Sequence, residues 1–73
     1  MNLEKVLIAF AAALAIGLPA IATAWAQSKI GSAGAGTLAE KPELSATVII
    51  MIAIPETMVI LGFVVAAMIL FGV

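Results

Sequence analysis

Residues 44–73, LSATVIIMIAIPETMVILGFVVAAMILFGV, decide the fold. They carry one formal charge, Glu56, in a run dominated by Ile, Val, Leu, Met, Ala and Phe. At about 1.5 Å of rise per residue, a helix over this stretch exceeds the roughly 30 Å of a bilayer's hydrocarbon core. A transmembrane helix with residues to spare is therefore expected. Residues 6–26 form a second long apolar stretch, free of formal charge and also long enough to span. The seven charges are Glu4, Lys5, Lys29, Glu40, Lys41, Glu43 and Glu56, and all but Glu56 lie near the N-terminus or between the two spans.

Composition agrees with a lipid solvent. Of 73 residues, 66% are hydrophobic and 10% charged, far from a soluble domain's mix. A chain this short buries little core of its own, and it has neither Cys nor His for a disulfide or zinc staple. Lipid and other subunits must supply the missing contacts. A net charge of -1, with one Trp and three Phe, provides neither the basic surface nor the stacking platform of a nucleic-acid binder.

The expected architecture is all-α: one membrane domain over residues 1–73, folded as an antiparallel hairpin of two transmembrane helices. Helix one is expected over about residues 3–38, a polar loop over about 39–42 and helix two over about 43–71. Pro42, within Glu40-Lys41-Pro42-Glu43, marks the turn. Ala20, Ala24, Ser28, Ser32 and Gly36 recur at every fourth position and suggest a face along which helices approach closely. A rival reading takes the first half as a secretory signal, with residues 1–5 as n-region, 6–18 as apolar core and Ala24-Trp25-Ala26 as cleavage site. Against it, Glu4 cancels Lys5, and cleavage would leave a lone helix with its carboxyl facing lipid.

Glu56 is the residue that demands a purpose. An acidic side chain at the centre of a membrane helix costs about 2.5 to 3.5 kcal/mol on insertion scales, and its own span holds no basic partner. Glu56 lies 14 residues after Pro42, and Gln27 lies 15 before it. In an antiparallel hairpin both stand roughly 21 to 22 Å from the turn, so Gln27 is expected to pair with Glu56. Pro55 has no amide hydrogen and frees the Met51 carbonyl, and Thr57 adds a hydroxyl. Thr57 has a plain alternative, a hydrogen bond back to the Ala53 carbonyl. A carboxylate, an amide oxygen, a hydroxyl and an accessible carbonyl suit a hard monovalent cation. A divalent ion would draw more carboxylates than the chain offers.

The motifs Ala26-Gln27-Ser28-Lys29, Leu38-Ala39-Glu40-Lys41-Pro42-Glu43, Pro55-Glu56-Thr57 and Leu61-Gly62-Phe63 together resemble the rotor-ring proteolipid of rotary ATPases. That family is the c-type proteolipid, called the K-type in the A/V-type branch. The likeness covers residues 27–73 well and helix one more loosely. It implies a closed homo-oligomeric ring of hairpins, with small residues on the inner circle and the ion carboxyl facing outward. It also implies an ion site of Glu56, Gln27, Thr57 and the Ile54 carbonyl, carrying Na+ or alternatively H+, with no cofactor and no catalytic residue. Implied partners are a stator membrane subunit supplying an Arg, and central-stalk subunits that meet Glu40, Lys41 and Pro42. The chain would then be a non-catalytic subunit of the cell membrane, crossing it twice. The charges code orientation weakly, and a cytoplasmic loop with both termini outside follows from the resemblance. Glu40-Lys41-Pro42 stands where the bacterial F-type loop reads Arg-Gln-Pro, which favours the A/V-type branch. Met58 stands where some A/V-type sodium sites have a second Gln. Other classes consistent with a membrane Glu are a small cation or drug antiporter and a signal-anchored membrane peptide.

Overall fold

A computed structural model describes residues 2–72; Met1 and Val73, the ends of the expected domain, lie outside the described residues. Helix α1 runs Leu3–Glu40, a 3-10 turn takes Pro42–Leu44, and helix α2 runs Ser45–Phe71. The two pack side by side as a hairpin of 57 × 19 × 11 Å. Both are long and apolar enough to cross a membrane, and most of their surface is exposed in the single chain. A soluble core helix would be covered instead, so hydrocarbon is the solvent that this surface fits.

Local chemistry sets the ends of each helix. Asn2 is extended, and its side chain accepts a 2.8 Å hydrogen bond from the Glu4 amide, capping the first turn of α1. Glu4 places a negative charge at the same positive end of the helix dipole. α1 continues to Glu40, about two residues beyond the sequence expectation, because the Thr37 carbonyl still accepts the Lys41 amide at 2.7 Å. Pro42 then opens the reversal, since its ring fixes φ and it has no amide to donate. The Leu44 amide bonds the Lys41 carbonyl, and the Ser45 hydroxyl bonds the Pro42 carbonyl at 2.6 Å. α2 thus begins at Ser45, two residues after the expected start, and is capped after Phe71 by Gly72, whose φ of 73° is the left-handed conformation glycine adopts at little cost.

The seam between the helices follows alternating steps of four and three. On α2 its covered or half-covered positions are Val48, Ile52, Pro55, Val59, Gly62, Ala66 and Ile69. On α1 the most deeply covered residues, Ala12, Thr23 and Gly34, recur every eleven, three helical turns apart. The strict four-residue stripe is not this seam: Ala24, Ser28, Ser32 and Gly36 are exposed. Each four-residue step turns the helix by about 400°, so the five members drift through some 160° and leave any single face.

Gly62 permits the closest backbone approach. A Cβ there would meet the Ala15 carbonyl oxygen at 2.5 Å and the Pro19 ring at 3.1 Å. Pro19 explains the contact. It lacks the amide that would bond the Ala15 carbonyl four residues back, so that oxygen is free to face the Gly62 backbone. Nearer the turn, Gly34 takes Val48 in the same way, with a Cβ position 2.6 Å from Val48 Cγ1.

Candidate ion-binding site

Among the described residues, three side-chain hydrogen bonds cross from α1 to α2, and all end within residues 52–56. The Gln27 Nε2 donates to Glu56 Oε2 at 2.7 Å and to the Ile52 carbonyl at 3.3 Å. One turn earlier, the Thr23 hydroxyl donates to the Pro55 carbonyl at 2.8 Å. The equal-depth count from Pro42 therefore brings Gln27 and Glu56 together as expected. An antiparallel reversal equalises heights, and the four-three seam turns both residues toward the same side.

Glu56 is exposed in the single chain, beside the seam residue Pro55 rather than inside the seam. Its carboxylate lies on the exposed flank of the hairpin, where Gln27 reaches it. Gln27 is half-buried and spends both amide hydrogens on α2. Its Oε1 then remains as an acceptor or cation ligand. Lys29 does not neutralise Glu56. Two positions beyond Gln27, it has turned about 200° around α1, and its ammonium sits 5.8 Å from the Trp25 ring centroid.

The remaining expected ligands are placed less closely. Thr57 is exposed, and its hydroxyl donates back to the Ala53 carbonyl at 3.4 Å, the plain alternative noted from the sequence. As a donor there, its oxygen keeps lone pairs for another partner. Ile54 is exposed within the helical run of α2, and no side chain among the described residues hydrogen-bonds its carbonyl. Glu40, Lys41 and Pro42 form the exposed tip of the hairpin. Among the described residues no cluster of three or more His, Cys, Asp or Glu side chains occurs.

Sequence reasoning overlooked Thr23 and the Ile52 carbonyl. Both carried a signal: Thr23 lies four residues before Gln27, and Ile52 four before Glu56, so each shares its partner's face.

Comparison with known proteins agrees with the geometry. No solved structure matches the chain. A-type ATP synthase subunit K of Methanocaldococcus jannaschii is 38% identical over 66 residues, covering 90% of this chain. The chain spans only 30% of that relative's length. The ATP synthase C-subunit family matches residues 10–69, which takes in most of both helices, the turn and every residue of the Gln27–Glu56 pairing. A two-helix hairpin in an apolar solvent, with one carboxyl set against an amide at matched depth, is thus accompanied by direct sequence kinship: the chain belongs to the ATP synthase C-subunit family, the non-catalytic rotor-ring proteolipids.

Proposed function

We propose that copies of this hairpin close into a ring in the cell membrane and that each Glu56 carries one Na+ across it as the ring turns. The Glu56 carboxylate, the Gln27 Oε1, the Thr57 hydroxyl and the Ile54 carbonyl hold the ion. One positive charge on one carboxylate leaves the loaded site neutral, which lets it pass through lipid. An Arg on a stator subunit pairs with the emptied carboxylate, and the Glu40-Lys41-Pro42 tip meets the central stalk on the cytoplasmic side, with both termini outside. Nucleotide chemistry belongs to a separate soluble head. A potential of 100 mV contributes about 2.3 kcal/mol per ion, so several ions are coupled to each ATP.

One observation carries this reading: the 2.7 Å bond between Gln27 and Glu56 within an otherwise apolar span. A carboxylate placed there at an insertion cost, with an amide fixed against it, is the minimum of a cation site. A proton-carrying version of the same rotor has one observation in its favour, because the Thr57 hydroxyl turns back on its own helix rather than toward Glu56.

The test is transport by the whole complex in vesicles. ATP-driven uptake of radioactive sodium that is lost in Glu56→Gln supports the sodium reading. Acidification of the lumen that is indifferent to sodium and also lost in Glu56→Gln assigns the proton. Transport that survives Glu56→Gln contradicts both.

A further inference from the structure

We propose that Thr23 is a positioning residue for the ion carboxyl, acting through the Pro55–Glu56 peptide group; this rests on the ion-carrying reading of Glu56. Among the described residues, six hydroxyl side chains donate hydrogen bonds. Those of Ser28, Ser32, Thr37, Ser45 and Thr57 return to a carbonyl three or four residues back on their own stretch of chain. Thr23 alone leaves its helix, reaching the Pro55 carbonyl 32 residues away at 2.8 Å. Its carbonyl four residues back, on Pro19, was the ordinary choice for a hydroxyl in a membrane helix. Thr23 is also the most covered polar residue described, at 2% exposure, so its bond is shielded from competing partners.

The acceptor gives the bond its meaning. The Pro55 carbonyl and the Glu56 amide nitrogen belong to one rigid peptide plane. The Glu56 N–H, in turn, points to the Ile52 carbonyl in the helical pattern, and that carbonyl also accepts from Gln27. Thr23 therefore holds the carbonyl end of the Pro55–Glu56 peptide directly, while Gln27, one turn on, shares the Ile52 carbonyl to which the N–H end points. Gln27 touches the carboxylate itself, whereas Thr23 touches only backbone. Thr23 sets the height and rotation at which Glu56 leaves α2, at a proline where the helix lacks one of its own hydrogen bonds. The Pro55 carbonyl lies inside α2 with or without Thr23, so removing the hydroxyl is expected to alter the aim of Glu56 more than the packing of the helices.

The experiment compares Thr23→Val, which keeps the shape and removes the donor, with Thr23→Ser, which restores it. Rings purified in mild detergent are labelled at Glu56 with a hydrophobic carbodiimide across a series of sodium concentrations and a series of pH values. Thermal dissociation of the same rings is followed by gel. The expected result is a labelling midpoint, in sodium or in pH, displaced by about threefold or more in Thr23→Val, a value near wild type in Thr23→Ser, and unchanged ring melting. An unshifted midpoint in Thr23→Val overturns the assignment. Loss of the ring in Thr23→Val also overturns it, because the bond would then hold the hairpin rather than aim the carboxyl. If wild-type labelling responds to neither sodium nor pH, Glu56 is not an ion site and the role of Thr23 falls with it.

Discussion

Gln27 and Glu56, 29 positions apart in the chain, are joined by a 2.7 Å hydrogen bond in which the amide donates to the carboxylate. The same nitrogen also reaches the Ile52 carbonyl, so the orientation of the amide is fixed by two acceptors on α2. Its oxygen is left over, beside a carboxylate, in a helix pair surrounded by apolar side chains. Removing the amide therefore subtracts a ligand without opening the seam. Gln27→Val is expected to lower sodium affinity about tenfold or more, the scale of losing one hydrogen bond to a charged group, while rings form in normal yield. Sodium-dependent ATP hydrolysis by the complex measures the first, and native gel electrophoresis the second.

Thr57→Ala separates the two ions. The hydroxyl bonds Ala53 on its own helix and is exposed, so its loss leaves hairpin stability within about 0.5 kcal/mol. A sodium site loses one oxygen ligand and weakens severalfold. A proton site keeps its function. Sodium-driven ATP synthesis in vesicles distinguishes the outcomes.

Glycine substitutions should rank by what a Cβ meets. Gly62→Ala drives a methyl into the Ala15 carbonyl, which is backbone and cannot swing aside, and is expected to cost about 1 to 3 kcal/mol. Gly34→Ala meets the Val48 side chain, which can shift, and costs less. Gly31→Ala meets nothing within 4 Å in the hairpin. Any defect it causes arises between copies. Denaturation in detergent, followed by helical circular dichroism, gives the order; a Gly31→Ala hairpin less stable than Gly62→Ala would contradict it.

Pro55→Ala returns an amide to the Met51 carbonyl and is expected to regularise α2 at the level of Glu56. The helix itself gains, since proline is the poorest interior residue, yet the aim of the carboxyl toward Gln27 is disturbed. The expected outcome is a ring at least as stable to heat, with weaker ion binding. Improved binding would mean that the proline does not shape the site.

Much of this arrangement was legible in the residues. Two long apolar runs, one free of charge and one carrying only Glu56, were readable as the two helices, because a membrane span must satisfy its backbone internally. Counting outward from Pro42 paired Gln27 with Glu56, since an antiparallel hairpin equalises depth about its turn. The count missed Thr23 because hydroxyls in membrane helices are usually satisfied by their own backbone, and only the packing of Pro55 beneath it offers a better acceptor. The four-residue stripe of helix one does not mark the seam within the hairpin, because small residues are abundant throughout that helix. Exposed Ser28 and Ser32 look no different in composition from covered Ala12 and Gly34, and only three-dimensional phase separates them. The carbonyl freed by Pro19, and the glycine that sits on it, involve residues 15, 19 and 62, whose register no local pattern supplies.

The most direct measurement is the sodium titration of carbodiimide labelling at Glu56 in wild-type and Gln27→Val rings, at one near-neutral pH. The expected result is equal labelling of both without sodium, followed by protection of the wild type at millimolar sodium and protection of the variant only at about tenfold higher sodium or beyond. Identical protection of the two rings would contradict the central claim that an amide on one helix and a carboxylate on the other hold the ion together.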